Sequence, residues 1–170
     1  MKKIFISLIF LIILTACVST RYSYYPVSSY GIKKVSISAG LVNAEDEKSP
    51  VEYIGVSDVR SNVNTPHKVN IILSTIKIID SNNKEYIVKT NSNSGYIHIY
   101  KQGVVITDDF KAYIGKVQLD DGTIIDIPPL SFKKNVYVES YNPVTDTINA
   151  GARTKRLFNG TVEDYKKQKK

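Results

Sequence analysis

An all-β fold is the class this sequence predicts: an antiparallel sandwich of immunoglobulin-like or transthyretin-like kind, with a small β-barrel as the alternative. Three observations carry that reading. From Lys33 to about Glu139, short runs rich in valine, isoleucine and tyrosine are separated by turn-forming residues every eight to fifteen positions. No long segment places apolar residues at helical spacing. The single cysteine, Cys17, allows no disulfide within a monomer, so packing alone must hold the domain together.

The chain opens with Lys2 and Lys3, then an apolar run from Ile4 to Leu14 interrupted by Ser7. The run is too short for a spanning helix, which needs roughly 18 or more apolar residues. Leu14-Thr15-Ala16-Cys17 follows. Together these features resemble the signal peptide and lipobox of bacterial lipoproteins. The resemblance implies cleavage before Cys17, a diacylglycerol on its thiol with further acylation such as palmitate, and a location in the cell envelope. Two or more acyl chains, at about 0.8 kcal/mol per buried methylene, give stable attachment. In a Gram-negative envelope, Val18 after the cysteine favours the periplasmic face of the outer membrane. The partner implied at this end is therefore the membrane itself.

Four segments follow from this reading: a signal peptide over 1–16, a lipidated N-terminus and tether over 17–32, a β-domain over 33–152 and a basic tail over 153–170. The tether is rich in serine, tyrosine and glycine and contains Pro26. Its Tyr22, Tyr24 and Tyr25 suit either the headgroup level of a membrane or the base of the domain. Candidate strands span 33–39, 51–57, 68–79, 84–90, 95–101, 112–119, 123–127 and 130–138.

Two of these strands make sharper predictions. Over 68–79 the apolar residues change parity, from Val69, Ile71 and Leu73 to Ile76 and Ile78, so a bulge or bend is required near Ser74-Thr75. At Asp120-Asp121-Gly122 a three-residue hairpin pairs Leu119 with Thr123, Val117 with Ile125 and Gly115 with Ile127. That register leaves Lys116, Gln118 and Asp126 on the opposite face and requires Gly122 to be left-handed. Pro128-Pro129 marks an edge or crossover rather than a central strand.

Charge is concentrated at the C-terminus. Without residues 1–16 the chain holds 21 basic and 16 acidic groups, and the tail alone holds seven basic against two acidic. The tail excess equals that of the whole remaining chain, so the body is formally neutral. The tail thus suits an envelope protein or another anionic surface, reached through Arg153–Lys170, whereas nucleic acid is not an expected partner. Thr161 can cap a short helix with Glu163 and Asp164 in its first turn.

Motifs for chemistry are sparse. No nucleophile elbow, zinc-protease helix or phosphate loop is present, and neither His67 nor His98 has a metal-ligand partner at motif spacing. No catalytic residue, metal ligand or cofactor is therefore expected. Asp108-Asp109 and Asp120-Asp121 read as turn residues. Alternation places Tyr96, His98 and Tyr100 on one face, a candidate ligand-binding platform. The expected function is a non-enzymatic envelope binding or assembly protein. The alternatives are a glycan- or peptidoglycan-binding module and a hydrolase whose active site is dispersed along the chain.

Overall fold

The computed structural model describes residues 17–27, 32–62, 64–91, 94–141 and 155–169. The expected signal peptide, 1–16, lies outside them. In chain order the elements are β1 (Cys17–Pro26), β2 (Val35–Leu41), β3 (Val51–Asp58), β4 (Val69–Ile71), β5 (Thr75–Asp80), β6 (Glu85–Lys89) and β7 (Tyr96–His98). A 3-10 turn (Tyr100–Gln102) precedes β8 (Phe110–Tyr113), β9 (Gly115–Leu119), β10 (Ile124–Ile127), β11 (Leu130–Tyr141), β12 (Lys155–Thr161) and α1 (Val162–Gln168). The fold is all-β, and no described helix is long and apolar enough to cross a membrane.

The chain forms two compact units. One is Tyr22–Asn135; the other comprises Met1–Arg21 and Val136–Lys170. In the larger unit, strands follow one another in the order β6-β5-β8-β11-β1-β2-β3-β7. This eight-strand path is a nearly closed barrel, and it matches the small-barrel alternative rather than the sandwich preferred from sequence. A second sheet, β10-β9-β4, contributes Val69, Ile71, Val117, Leu119 and Ile127 to the same core as Ile54, Ile78 and Phe132. Aromatic packing runs through that core: Phe110 stacks on Phe132 at 4.7 Å and meets Tyr24 edge-on at 5.3 Å.

The parity change over 68–79 is resolved by a change of sheet. β4 pairs with β9, whereas β5 pairs with β6 and β8, so each apolar set is buried by its own sheet. Leu73, in the crossing between them, is left 46% exposed. The strand expected over 112–119 breaks in the same way, with β8 in the large sheet and β9 in the small one. Gly115 opens β9 at φ 76°, and a Cβ there would come within 2.7 Å of Leu73 Cδ1. The two crossings therefore lie side by side, and the positive φ is what favours glycine, since the exposed Leu73 side chain could shift.

The hairpin at Asp121-Gly122 has the expected three-residue register, with Ile125 opposite Val117 and Ile127 opposite Gly115. The Leu119 N–H donates to the Thr123 carbonyl at 2.9 Å, and Gly122 has φ 81°. Pro128-Pro129 then carries the chain from β10 in the small sheet to β11 in the large one.

At the ends the structure departs from the sequence reading. Residues read as a tether include β1, which lies between β11 and β2 in the strand order. Tyr24 is wholly buried and Tyr22 packs against the core, so neither ring is free to reach a headgroup; Tyr25 is exposed. In the basic tail, β12 pairs with β11 and continues into α1. Thr161 caps α1 as expected: its Oγ1 accepts the Asp164 N–H at 3.2 Å and donates to Asp164 Oδ2 at 2.7 Å.

Candidate functional site: an acid–imidazole cluster

β3 alternates so that Ile54, Val56 and Asp58 all face inward. A carboxylate at an inward position must find a cation and hydrogen bonds or lose its charge. Asp58, with no side-chain exposure, is met by Arg60 in the turn that follows. The guanidinium donates through Nε to both carboxylate oxygens at 3.0 Å and through Nη2 to Oδ2 at 2.5 Å, while the Arg60 backbone N–H adds a bond of 2.8 Å. Hydrogen bonding from Arg60 outweighs the effect of burial and holds Asp58 at about 2, below the usual 3.8. The same pairing raises Arg60 further above its ordinary value.

Arg60 also reaches the hairpin between β9 and β10. Its Nη2 lies 3.2 Å from Asp120 Oδ1 and its Nη1 3.1 Å from Asp121 Oδ2. Hydrogen bonds from Thr123, reinforced by Arg60, lower the Asp121 pKa. The other oxygen of Asp120, Oδ2, sits 2.7 Å from His67 Nδ1. His67 is carried by a loop braced with side-chain bonds. Its N–H donates to Ser61 Oγ at 2.8 Å, the Ser61 hydroxyl donates back to the His67 carbonyl at 3.0 Å, and Asn62 Oδ1 accepts from Asn64 and Thr65.

One cation thus ties a buried carboxylate to a second carboxylate that orients an imidazole. Asp58, His67 and Asp120 each offer a ligand atom, all within 4.8 Å of one another. Those atoms fit a divalent ion in spacing and type, but both Asp58 oxygens already accept from Arg60, so an ion would have to displace the guanidinium. The arrangement as it stands suits acid–base chemistry. An Nδ1–H held on a carboxylate leaves Nε2 as the basic nitrogen. The His67 side chain is 25% exposed. Asp120 also lines an open pocket of mixed polarity with Lys68, Val69, Asn70, Gln118 and Leu119.

This cluster overturns the expectation of a catalytically empty domain. From sequence Asp120 reads as a turn residue, and His67 has no metal-ligand partner at motif spacing; the fold joins them across 53 positions. Asp108-Asp109 does behave as a loop pair, with Asp109 Oδ1 accepting the Lys134 N–H at 3.0 Å.

The expected Tyr96-His98-Tyr100 platform is divided between two elements. Tyr96 and His98 belong to β7, while Tyr100 begins the 3-10 turn. Tyr96 is 51% exposed and Tyr100 45%. The His98 Nδ1 is buried without a hydrogen-bond partner. A residue that the sequence reading passed over, Tyr53, lies opposite His98 in β3 and meets Tyr96 edge-on at 5.3 Å. The Tyr53 ring lies over Gly40 and Tyr96 packs on Gly55; any Cβ at Gly40 would strike the Tyr53 ring. Cys17, the expected acylation site, is exposed at the start of β1. No family model matches the chain, and neither the curated proteins nor the solved structures yield a match to it.

Proposed function

We propose that this chain is a lipid-anchored protein of the bacterial cell envelope, acylated on Cys17, whose β-domain carries a hydrolytic site at His67 and Asp120. The 2.7 Å contact between His67 Nδ1 and Asp120 Oδ2 carries the reading. In the proposed mechanism Asp120 fixes the tautomer with the proton on Nδ1, and Nε2 takes a proton from water as its oxygen bonds to the electrophilic atom of the substrate. Asp120 stabilises the imidazolium, which returns that proton to the leaving group as the scissile bond breaks. Arg60 holds Asp120 in place while neutralising Asp58, and Lys68, Asn70 and Gln118 line the adjoining substrate pocket. Position at the envelope makes polar cell-wall or surface-polymer bonds the substrate class.

Residues 17–170 contain every described element and can be assayed against a panel of envelope-derived esters, amides and glycosides. General-base catalysis contributes about 10²- to 10⁴-fold. His67→Ala and Asp120→Asn should each lower turnover within that range while folding persists. Absence of turnover on the panel, together with an imidazole tautomer unchanged in Asp120→Asn, would sink the proposal.

A second reading draws on a separate observation. The Tyr53–Tyr96 pair, laid over two glycines, offers ring surface suited to stacking on a sugar. Loss of glycan binding in Tyr96→Ala with His67 chemistry intact would separate this role from hydrolysis.

A further inference from the structure

The smaller unit brings together the start of β1, the later part of β11, β12 and α1. Both β1 and β12 pair with β11, so Cys17 and the basic C-terminal strand belong to one sheet. Lys155, Arg156, Lys166, Lys167 and Lys169 are all exposed on β12, α1 and its C-cap, and Arg21 is exposed on β1. The described acids on the same unit are Glu139, Glu163 and Asp164; Glu163 is bridged to Lys167 at 2.9 Å. The balance is cationic.

Aromatic rings sit among these cations. Arg156 lies over the Tyr137 ring at 5.3 Å, Lys169 over the Tyr165 ring at 4.5 Å, and Phe158 packs against Tyr165 at 5.0 Å. All three rings are only partly covered. Exposed Val18 and Leu157 add apolar surface. Long cationic side chains beside half-exposed tyrosine and phenylalanine are the composition that settles at a lipid headgroup layer, where ammonium and guanidinium groups meet phosphate and the rings meet glycerol. Each juxtamembrane cation contributes about 1 kcal/mol there.

We infer that β12 and α1 form a peripheral membrane interface for anionic phospholipid headgroups, lying flat on the membrane that the acyl chains on Cys17 enter. The interface rests on the proposed anchoring for its biological setting, but not for its chemistry. A second contact of this kind would fix the orientation of the smaller unit on the lipid surface, where the acyl chains alone leave it free to swing.

The test uses unacylated residues 17–170 carrying Cys17→Ser, so that the anchor cannot contribute. Sedimentation is measured with vesicles of phosphatidylcholine alone and with vesicles containing about one third phosphatidylglycerol. Binding is expected only to the anionic vesicles, and it should weaken strongly as salt rises and the Debye length shortens. Combined Lys155→Gln, Lys166→Gln, Lys167→Gln and Lys169→Gln should lower that binding about a thousandfold, at about 1 kcal/mol for each cation, with thermal unfolding shifted only slightly because contacts such as the exposed Glu163–Lys167 pair contribute little. Equal binding to both vesicle types overturns the inference, as does binding that survives the four substitutions. Capture by soluble heparin without binding to anionic vesicles overturns it too, since the partner is then a polyanion in solution. None of these outcomes depends on His67 chemistry or on acylation.

Discussion

Gln102 pairs with Lys89 as a neighbouring strand would. Its side-chain Oε1 accepts the Lys89 N–H at 2.8 Å, and its Nε2 donates to the Lys89 carbonyl at 2.9 Å and to the His98 carbonyl at 2.6 Å. Lys89 ends β6 and His98 ends β7, the two terminal strands of the eight-strand path. One amide therefore bridges the seam where the barrel fails to close through backbone pairing. Gln102→Ala leaves three backbone groups to water and should cost about 1–2 kcal/mol, because the seam is solvent-accessible and each net hydrogen bond is modest. Gln102→Glu keeps the acceptor but sets a carboxylate oxygen against the Lys89 and His98 carbonyls, so it should be no more stable than the alanine variant. Urea denaturation of the three proteins checks the order; an alanine variant as stable as the parent means that the seam closes without the amide.

Lys134 is a buried cation on β11 at which two loops meet. Its Nζ donates to the Glu47 carbonyl at 2.6 Å and to the Thr107 carbonyl, and it lies 5.2 Å above the Tyr24 ring. Burial lowers its pKa despite the neighbouring Asp108, Glu47 and Asp109. Lys134→Met preserves much of the stem but leaves two carbonyls without this donor, which should cost about 2–4 kcal/mol. The effect should also loosen the loops around residues 42–50 and 104–109, read as faster amide exchange there. Uniform exchange in the variant would mean that the ammonium does not hold the loops.

Gly95 precedes β7 with no room for a side chain. A Cβ there would run into the Val56 carbonyl oxygen, while the Val56 N–H donates to the Gly95 carbonyl at 2.8 Å. Backbone must move against backbone, so Gly95→Ala should cost about 2–4 kcal/mol. Gly103, with open space around it, serves as the contrast. Its φ of 76° makes Gly103→Ala a matter of conformation alone, about 1–2 kcal/mol. A thermal-melt series showing the opposite ranking would mean that β7 can shift to make space.

What was legible in the sequence follows from the range over which each feature is determined. The hairpin around Gly122 could be read to the residue because turn chemistry and alternation act over a dozen neighbouring positions. The parity change at Leu73 was legible for the same reason, although its resolution as a change of sheet was not. β1 and β12 were missed because their stability comes from pairing with β11, and their sequences hold few apolar residues to reveal an inward face. The His67–Asp120 contact joins residues 53 apart, and no local spacing encodes it. One signal was available: Ile54, Val56 and Asp58 share a face, so Asp58 was due to be buried and in need of a cation. Arg60, two residues on, meets that need, and following it outward leads to Asp120.

The Asp58–Arg60 pair also sets a pH dependence whose sign can be worked out. Asp58 sits at about 2 in the folded chain against 3.8 for the ordinary carboxyl. A depressed folded-state pKa means that the unfolded chain binds the proton first as pH falls. The stabilisation is thus fully present above about pH 4 and is lost progressively as pH falls towards 2. Asp58→Asn removes the titration. It also takes the charged acceptor away from Arg60, which keeps only Asp120 and Asp121, so the variant should be less stable at pH 7. Its stability should change less between pH 4 and pH 2 than that of the parent. Chemical denaturation across that interval reads the difference directly. Parallel profiles would mean that acid lability resides in other carboxylates and that Arg60 is held mainly by Asp120 and Asp121. A flatter profile in the variant, with the His67 tautomer altered as well, would show that Asp58 governs the cluster through the single guanidinium they share.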